Sequence, residues 1–233
     1  MAETTAVIVG VGPGLGAALA RRFAAAGMGV AVASRDPIKL GPIVGGIATG
    51  KARAYACDAT NERQVQALFA AVTQDLGAPD LVVFNASGRV RKSILEIGVQ
   101  EFERAWRNAC LGGFIVGREA ARALLPRGRG RSFSTGATAS VRGFSGSAGF
   151  AVGKFGLRGL AQSMARELQP QGIHVAHVIV DGGIASPSRP QDAAKPDALL
   201  EPDAIAEVYY DLYRQPKSAW THEIDLRPWV ERF

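Results

Sequence analysis

The sequence predicts an α/β fold, a doubly wound parallel sheet with helices on both faces. Two observations carry this. Short β-branched runs alternate with longer alanine- and leucine-rich amphipathic stretches, the pattern of βαβ units, and the first run enters the first helix through a glycine-rich turn. In chain order, strands are expected near Thr5–Gly10, Gly29–Ser34, Arg53–Cys57, Leu81–Asn85, Ser132–Thr135 and His174–Val180, with a weaker last one near His222–Leu226. Helices fall between them, near Gly14–Ala26, Glu62–Leu76, Gln100–Leu125, Ala148–Gln169 and Pro202–Arg214. Within Asp36–Gly50 the helix due after the second strand should be short or broken, because Gly41, Pro42, Gly45 and Gly46 interrupt it. From Ser186 to Lys195 the chain has prolines and no hydrophobic periodicity. It follows the sixth strand, where open α/β sheets build their ligand crevice, and is expected to be a mobile flap.

The 233 residues, 47% hydrophobic and 21% charged, suffice for one large core and are few for two, so one domain over residues 1–233 is expected. The formal charge of +6 is not interleaved with aromatics as in a nucleic-acid surface; an anionic dinucleotide would account for it equally well. Cys57 and Cys110 have neither CxxC nor CxxH spacing, so no disulfide framework or zinc site is indicated. The opening Met-Ala-Glu-Thr-Thr leads into an apolar run too short for a signal peptide or a membrane span. A soluble, cytoplasmic protein in a reducing compartment is the expectation.

The segment Val7-Ile8-Val9-Gly10-Val11-Gly12-Pro13-Gly14-Leu15-Gly16 has the composition of a Rossmann-type phosphate-binding turn, in which glycines let backbone approach a pyrophosphate at a helix N-terminus. Two registers fit: Gly10, Gly14 and Gly16, or Gly12, Gly14 and Ala17. The first is preferred because it puts Gly10 at the strand end, where the tight turn must begin. The second strand ends Ala33-Ser34-Arg35-Asp36. An arginine here suits the 2′-phosphate of NADP, whereas an acidic residue suits NAD. Ser34 and Arg35 therefore favour NADP over NAD, the alternative being a solvated Arg35 with Asp36 capping the next helix.

With its later landmarks, the chain resembles the classical short-chain dehydrogenase/reductase family over nearly its whole length. Asp58 stands where the family has an aspartate contacting the adenine ring, and Asn85-Ala86 match its Asn-Asn-Ala-Gly stretch, with Phe84 at the first asparagine. Phe150-Ala151-Val152-Gly153-Lys154 match its Tyr-x-x-x-Lys. The resemblance implies a nicotinamide cofactor held by Gly10, Gly14, Leu15, Gly16, Asp58, Asn85, Ala86, Lys154 and Gly182. It also implies a small-molecule substrate and a homodimer or homotetramer built on the two longest helices.

Departures from the family concentrate where chemistry would occur. Phe150 has no hydroxyl and cannot transfer a proton, while Lys154, one helical turn on, keeps an anchoring role or is a surface lysine. The family's serine falls on Ala137, with Thr138 the nearest substitute, though Thr138 can equally bond its own backbone. Its helix asparagine falls on Ala109; Asn108 is one residue early, about 100° away on a regular helix, and replaces it only if the helix is deformed there. Asp181-Gly182-Gly183-Ile184 replaces Pro-Gly-x-x, so Asp181 is either a buried acid near the nicotinamide or a turn cap. His174 and His177 lie on opposite faces of one strand and cannot share a metal. Two functions remain open: an NADP(H)-dependent oxidoreductase of altered mechanism, reducing a C=C bond of an enoyl or acyl substrate with Thr138, Ser140, Asp181 or a water held by Lys154 as acid, or a non-catalytic NADP(H)-binding sensor or partner subunit.

Overall fold

The computed structural model describes residues 4–47 and 51–230. The first three residues of the Met-Ala-Glu-Thr-Thr opening, and the end of the Asp36–Gly50 segment, lie outside the described residues. Seven parallel strands form one sheet in the order β3-β2-β1-β4-β5-β6-β7: β1 Thr5–Val9, β2 Gly29–Ser34, β3 Ala52–Ala56, β4 Pro79–Phe84, β5 Gly130–Thr135, β6 Ile173–Val180 and β7 Glu223–Leu226. The five inner strands are almost wholly buried, as parallel strands covered on both faces must be. The edge strands β3 and β7 are more exposed.

Side-chain alternation divides the core into two layers. Ala6, Ile8, Val30, Val32, Leu81 and Val83 face α1 Leu15–Ala25 and α7 Pro202–Arg214. Their neighbours Val7, Val9, Ala31, Ala33, Val82 and Phe84 face α3 Glu62–Leu76, α5 Gly112–Leu124 and α6 Ala148–Leu168. The expected broken segment is a 3₁₀ turn over Pro37–Leu40 followed by a five-residue helix, α2, at Gly41–Gly45. Proline is tolerated at the start of each because the first helical N–H groups have no intrahelical partner.

The expected single helix over Gln100–Leu125 is instead three pieces: α4 Val99–Trp106, a π-helical turn at Arg107–Leu111, and α5. An i→i+5 turn inserts one residue and rotates the side chains that follow it. The strand order reverses at β1, whose Val9 is level with Ala33 of β2 and Phe84 of β4. The loops opening at Gly10, Arg35 and Asn85 therefore leave one edge of the sheet together, the place where such sheets bind ligands.

Candidate active site and dinucleotide groove

Two adjoining cavities run along this edge and share Gly10, Gly12, Asn85 and Ser87. One, about 250 Å³, is bounded by Ser34, Arg35, Asp58, Ala86 and Asn108. The other, about 340 Å³, is bounded by Gly14, Leu15, Gly16, Ala137, Phe150, Lys154 and Gly182. All the residues expected from the sequence to hold a cofactor lie in these two walls.

The turn between β1 and α1 is shaped by glycine. Gly10 has φ +90°, and a Cβ there would stand 2.3 Å from the Ala86 nitrogen. Asn85 fastens the same junction, its backbone N–H donating to Val9 O at 2.8 Å and its Nδ2 to Gly10 O at 3.0 Å. A Cβ on Gly16 would come within 2.8 Å of the Val11 Cα, whereas one on Gly12 would meet nothing within 4 Å. The tight positions are thus Gly10 and Gly16. Helix α1 opens with no side-chain cap and no acidic residue in its first turn, so its N–H groups and positive dipole end are left for an anion. That unneutralised end beside an open glycine turn fits the pyrophosphate of a dinucleotide.

At the far end of the groove Arg35 is exposed and makes no ion pair among the described residues. Asp36 is occupied elsewhere: its carboxylate accepts from Ile38 N at 3.2 Å and pairs with Lys39 at 3.1 Å, and Lys39 holds its pKa below the ordinary value. Ser34 Oγ donates to Asp36 O at 2.8 Å. Asp58 Oδ1 accepts from both the N–H and the hydroxyl of Thr60, which holds its carboxylate at the cavity wall.

Lys154 is 2% exposed and donates to Thr135 O at 2.7 Å; burial brings its pKa down to about 8. Phe150, one turn earlier on α6, also bounds the groove, and the Arg89 guanidinium lies 5.6 Å from the centre of its ring. The hydroxyls near Ala137 are turned to other partners. Thr138 Oγ1 donates to Asp181, whose buried carboxylate also has the guanidinium groups of Arg227 and Arg142 at 3.6 and 3.9 Å. Neither Thr138 nor Asp181 bounds the groove. Ser140 Oγ accepts from Ala137 N at 3.1 Å and sits 3.0 Å from His177 Nε2, while His177 Nδ1 is 2.8 Å from Ser134 Oγ. Burial, with the Lys154 charge adding to it, depresses His177 to about 3, so the imidazole is neutral.

Asn108 occupies the π-helical turn and reaches the groove. The helix is deformed where the sequence required it to be if Asn108 were to take the asparagine's place. Ala109 is instead fully buried against Gly153, whose missing Cβ would stand 2.9 Å from it. His174 stacks on Trp220 away from His177, and no cluster of metal-ligating side chains occurs among the described residues. Arg89 carries no local sequence signal, because it lies in an irregular loop. No helix among the described residues is long and apolar enough to cross a membrane.

Residues 4–196 match the family model described as short chain dehydrogenase. The chain is 33% identical to the short-chain reductase protein NovJ of Streptomyces niveus over 79% of its length and 71% of that protein. Among solved structures, a short-chain dehydrogenase from Rhodopseudomonas palustris is 43% identical, with a TM-score of 0.85 over 97% of this chain and 99% of that one. A metagenomic short-chain oxidoreductase in complex with NADP is 26% identical, with a TM-score of 0.83 over 97% and 98%.

Proposed function

The chain belongs to the short-chain dehydrogenase family, and on that premise we propose that it is an NADP(H)-dependent oxidoreductase that reduces a polarised C=C bond of an enoyl or acyl substrate without a phenolic acid. Its membership makes it an oxidoreductase of the short-chain type; the cofactor choice, the substrate class and the residue roles are the proposal. The NADP-bound metagenomic relative and Arg35 at the groove's end support NADP. Bound nicotinamide would supply the hydride. Gly10, Gly14, Leu15 and Gly16 would cradle the pyrophosphate, Asp58 and Ala86 flank the adenosine, and Asn85, Lys154 and Gly182 bound the nicotinamide end.

The observation carrying this reading is the pairing of Phe150 and Ala137 on the wall of the groove. Carbonyl reduction develops a full alkoxide and needs a donor within hydrogen-bonding reach. Neither side chain has one, and Thr138, Ser140 and Thr135 are bonded to Asp181, His177 and Tyr209. An enoyl substrate is less demanding, because its enolate oxygen can be held by backbone N–H groups or a cation while carbon takes its proton from water. Lys154 would fix the groove wall and hold such a water. The retained groove and buried lysine favour an enzyme over a non-catalytic sensor. Single-turnover oxidation of bound NADPH, with matched ketones and enoyl thioesters, tests this: enoyl substrates should react faster, and faster ketone turnover would refute it.

A further inference from the structure

We propose that Arg89 and Arg189 form a recognition site for a substrate carrying a carboxylate or phosphate, at the mouth of the groove above Phe150. This rests on the functional reading above and supplies its substrate class. Arg89 belongs to the loop after β4, and its guanidinium lies 5.6 Å from the Phe150 ring centre. Arg189 arrives from the loop after β6, where its N–H and carbonyl exchange hydrogen bonds with Ser186 at 2.9 and 3.0 Å. A Cβ on Gly183 would strike Cζ, Nη1 and Nη2 of Arg189 at 2.5, 2.5 and 2.6 Å. The guanidinium thus lies across a backbone that only glycine leaves open, next to Gly182 and Ile184 in the groove wall.

Arg89, Arg91 and Arg189 are solvent-exposed cations. The Arg89 pKa is lowered by partial desolvation first and then by the charges of Arg91 and Arg189. None of the three pairs with a carboxylate among the described residues, although other cations do: Lys92 is bound to Glu101 at 2.8 Å, and Arg142 and Arg227 face Asp181. Gathering like charges is unfavourable, and an anion between them removes the repulsion while accepting forked guanidinium hydrogen bonds. Two of the arginines come from loops far apart in sequence, so the cluster is made by the fold and stands beside the position where the reacting part of a substrate would lie.

The test titrates the NADPH-saturated full chain calorimetrically with benzoate, phenyl phosphate and the neutral benzamide. At least one anion should bind about tenfold or more tightly than benzamide, and the tighter of the two identifies the carboxylate or the phosphate as the recognised group. The double variant R89Q/R189Q should abolish the preference at unchanged NADPH affinity, and G183A, which evicts the Arg189 guanidinium, should weaken it. Equal binding of benzamide, no binding of either anion, or a preference surviving in R89Q/R189Q would overturn the proposal. So would a fall in that variant's NADPH affinity, which would assign the cluster to the cofactor. A parent chain that binds no NADPH contradicts the functional reading alone, because benzoate and benzamide can still be compared on the unliganded chain.

Discussion

Lys154 reaches from the second turn of α6 to the end of β5 and donates to the carbonyl oxygen of Thr135 at 2.7 Å. The bond ties one wall of the groove to the sheet edge beneath it, inside a site where the ammonium is almost wholly desolvated. Its methionine replacement, K154M, preserves side-chain length without the charge. NADPH affinity should fall about tenfold or more, the effect of losing a hydrogen bond to a charged group, while far-ultraviolet circular dichroism stays native. Unchanged affinity by calorimetry would restrict Lys154 to holding the fold.

Arg35 makes no ion pair among the described residues, while Asp36 beside it is held by Lys39. R35D should therefore weaken NADPH by about 1.5–3 kcal/mol and NADH far less. Parallel titrations of both cofactors check this, and a parent chain that prefers NADH would contradict it.

The two glycine registers make opposite demands on stability. At Gly10 a methyl group meets a positive φ and a backbone atom at 2.3 Å, whereas at Gly12 it meets nothing within 4 Å. G10A should lose about 2 kcal/mol or more, and G12A should stay within about 0.5 kcal/mol of the parent. Urea unfolding measures both, and comparable losses would remove the distinction.

The sheet was legible because its signal is local: runs such as Ala6-Val7-Ile8-Val9 and Leu81-Val82-Val83-Phe84 must be buried on both faces, and observed strand ends differ from the expected ones by at most two residues. The glycine turn was legible for the same reason. The π-helical turn at Arg107–Leu111 is legible only as a condition on Asn108, because its stability depends on packing against α6 rather than on propensity. The pairing of Thr138 with Asp181, 43 residues apart, and of Ser134 with His177 depend on β5 lying beside β6. No local pattern announces such partners. Arg89 and Arg189 likewise carry no local signal, since they belong to loops that only the fold brings to one groove.

His177 gives the fold an acid-sensitive element. Its folded pKa is near 3 and its unfolded pKa near the ordinary 6.5, so between those values the unfolded chain binds the extra proton. Stability from this group is complete above about pH 6.5 and is lost as the pH falls toward 3, at up to about 1.4 kcal/mol per pH unit. Between pH 6.5 and 4.5 the parent should lose about 2 kcal/mol more than H177Q, measured by urea unfolding. Equal slopes would show that other groups govern acid unfolding.

The unmodified chain should be a poor ketone reductase, and the structure indicates how ordinary activity could be restored. Phe150 and Ala137 both bound the groove beside Lys154, so hydroxyls introduced at both positions would enter the same cavity. The ammonium one turn along α6 would favour ionisation of a phenol at position 150, and the Arg89 charge over the ring would act in the same direction. A general acid and an oxyanion donor are each worth roughly a hundredfold. The double variant A137S/F150Y should therefore raise single-turnover ketone reduction by at least about a hundredfold, whereas F150Y alone gains less because the serine's hydrogen bond is still missing. Enoyl reduction should change little, since it does not use the restored donor. NADPH affinity should also hold, which separates a chemical gain from a binding one. Ketone reduction by the parent at a rate matching A137S/F150Y would mean that another group already protonates the carbonyl, and the case for a C=C substrate would lose its main support.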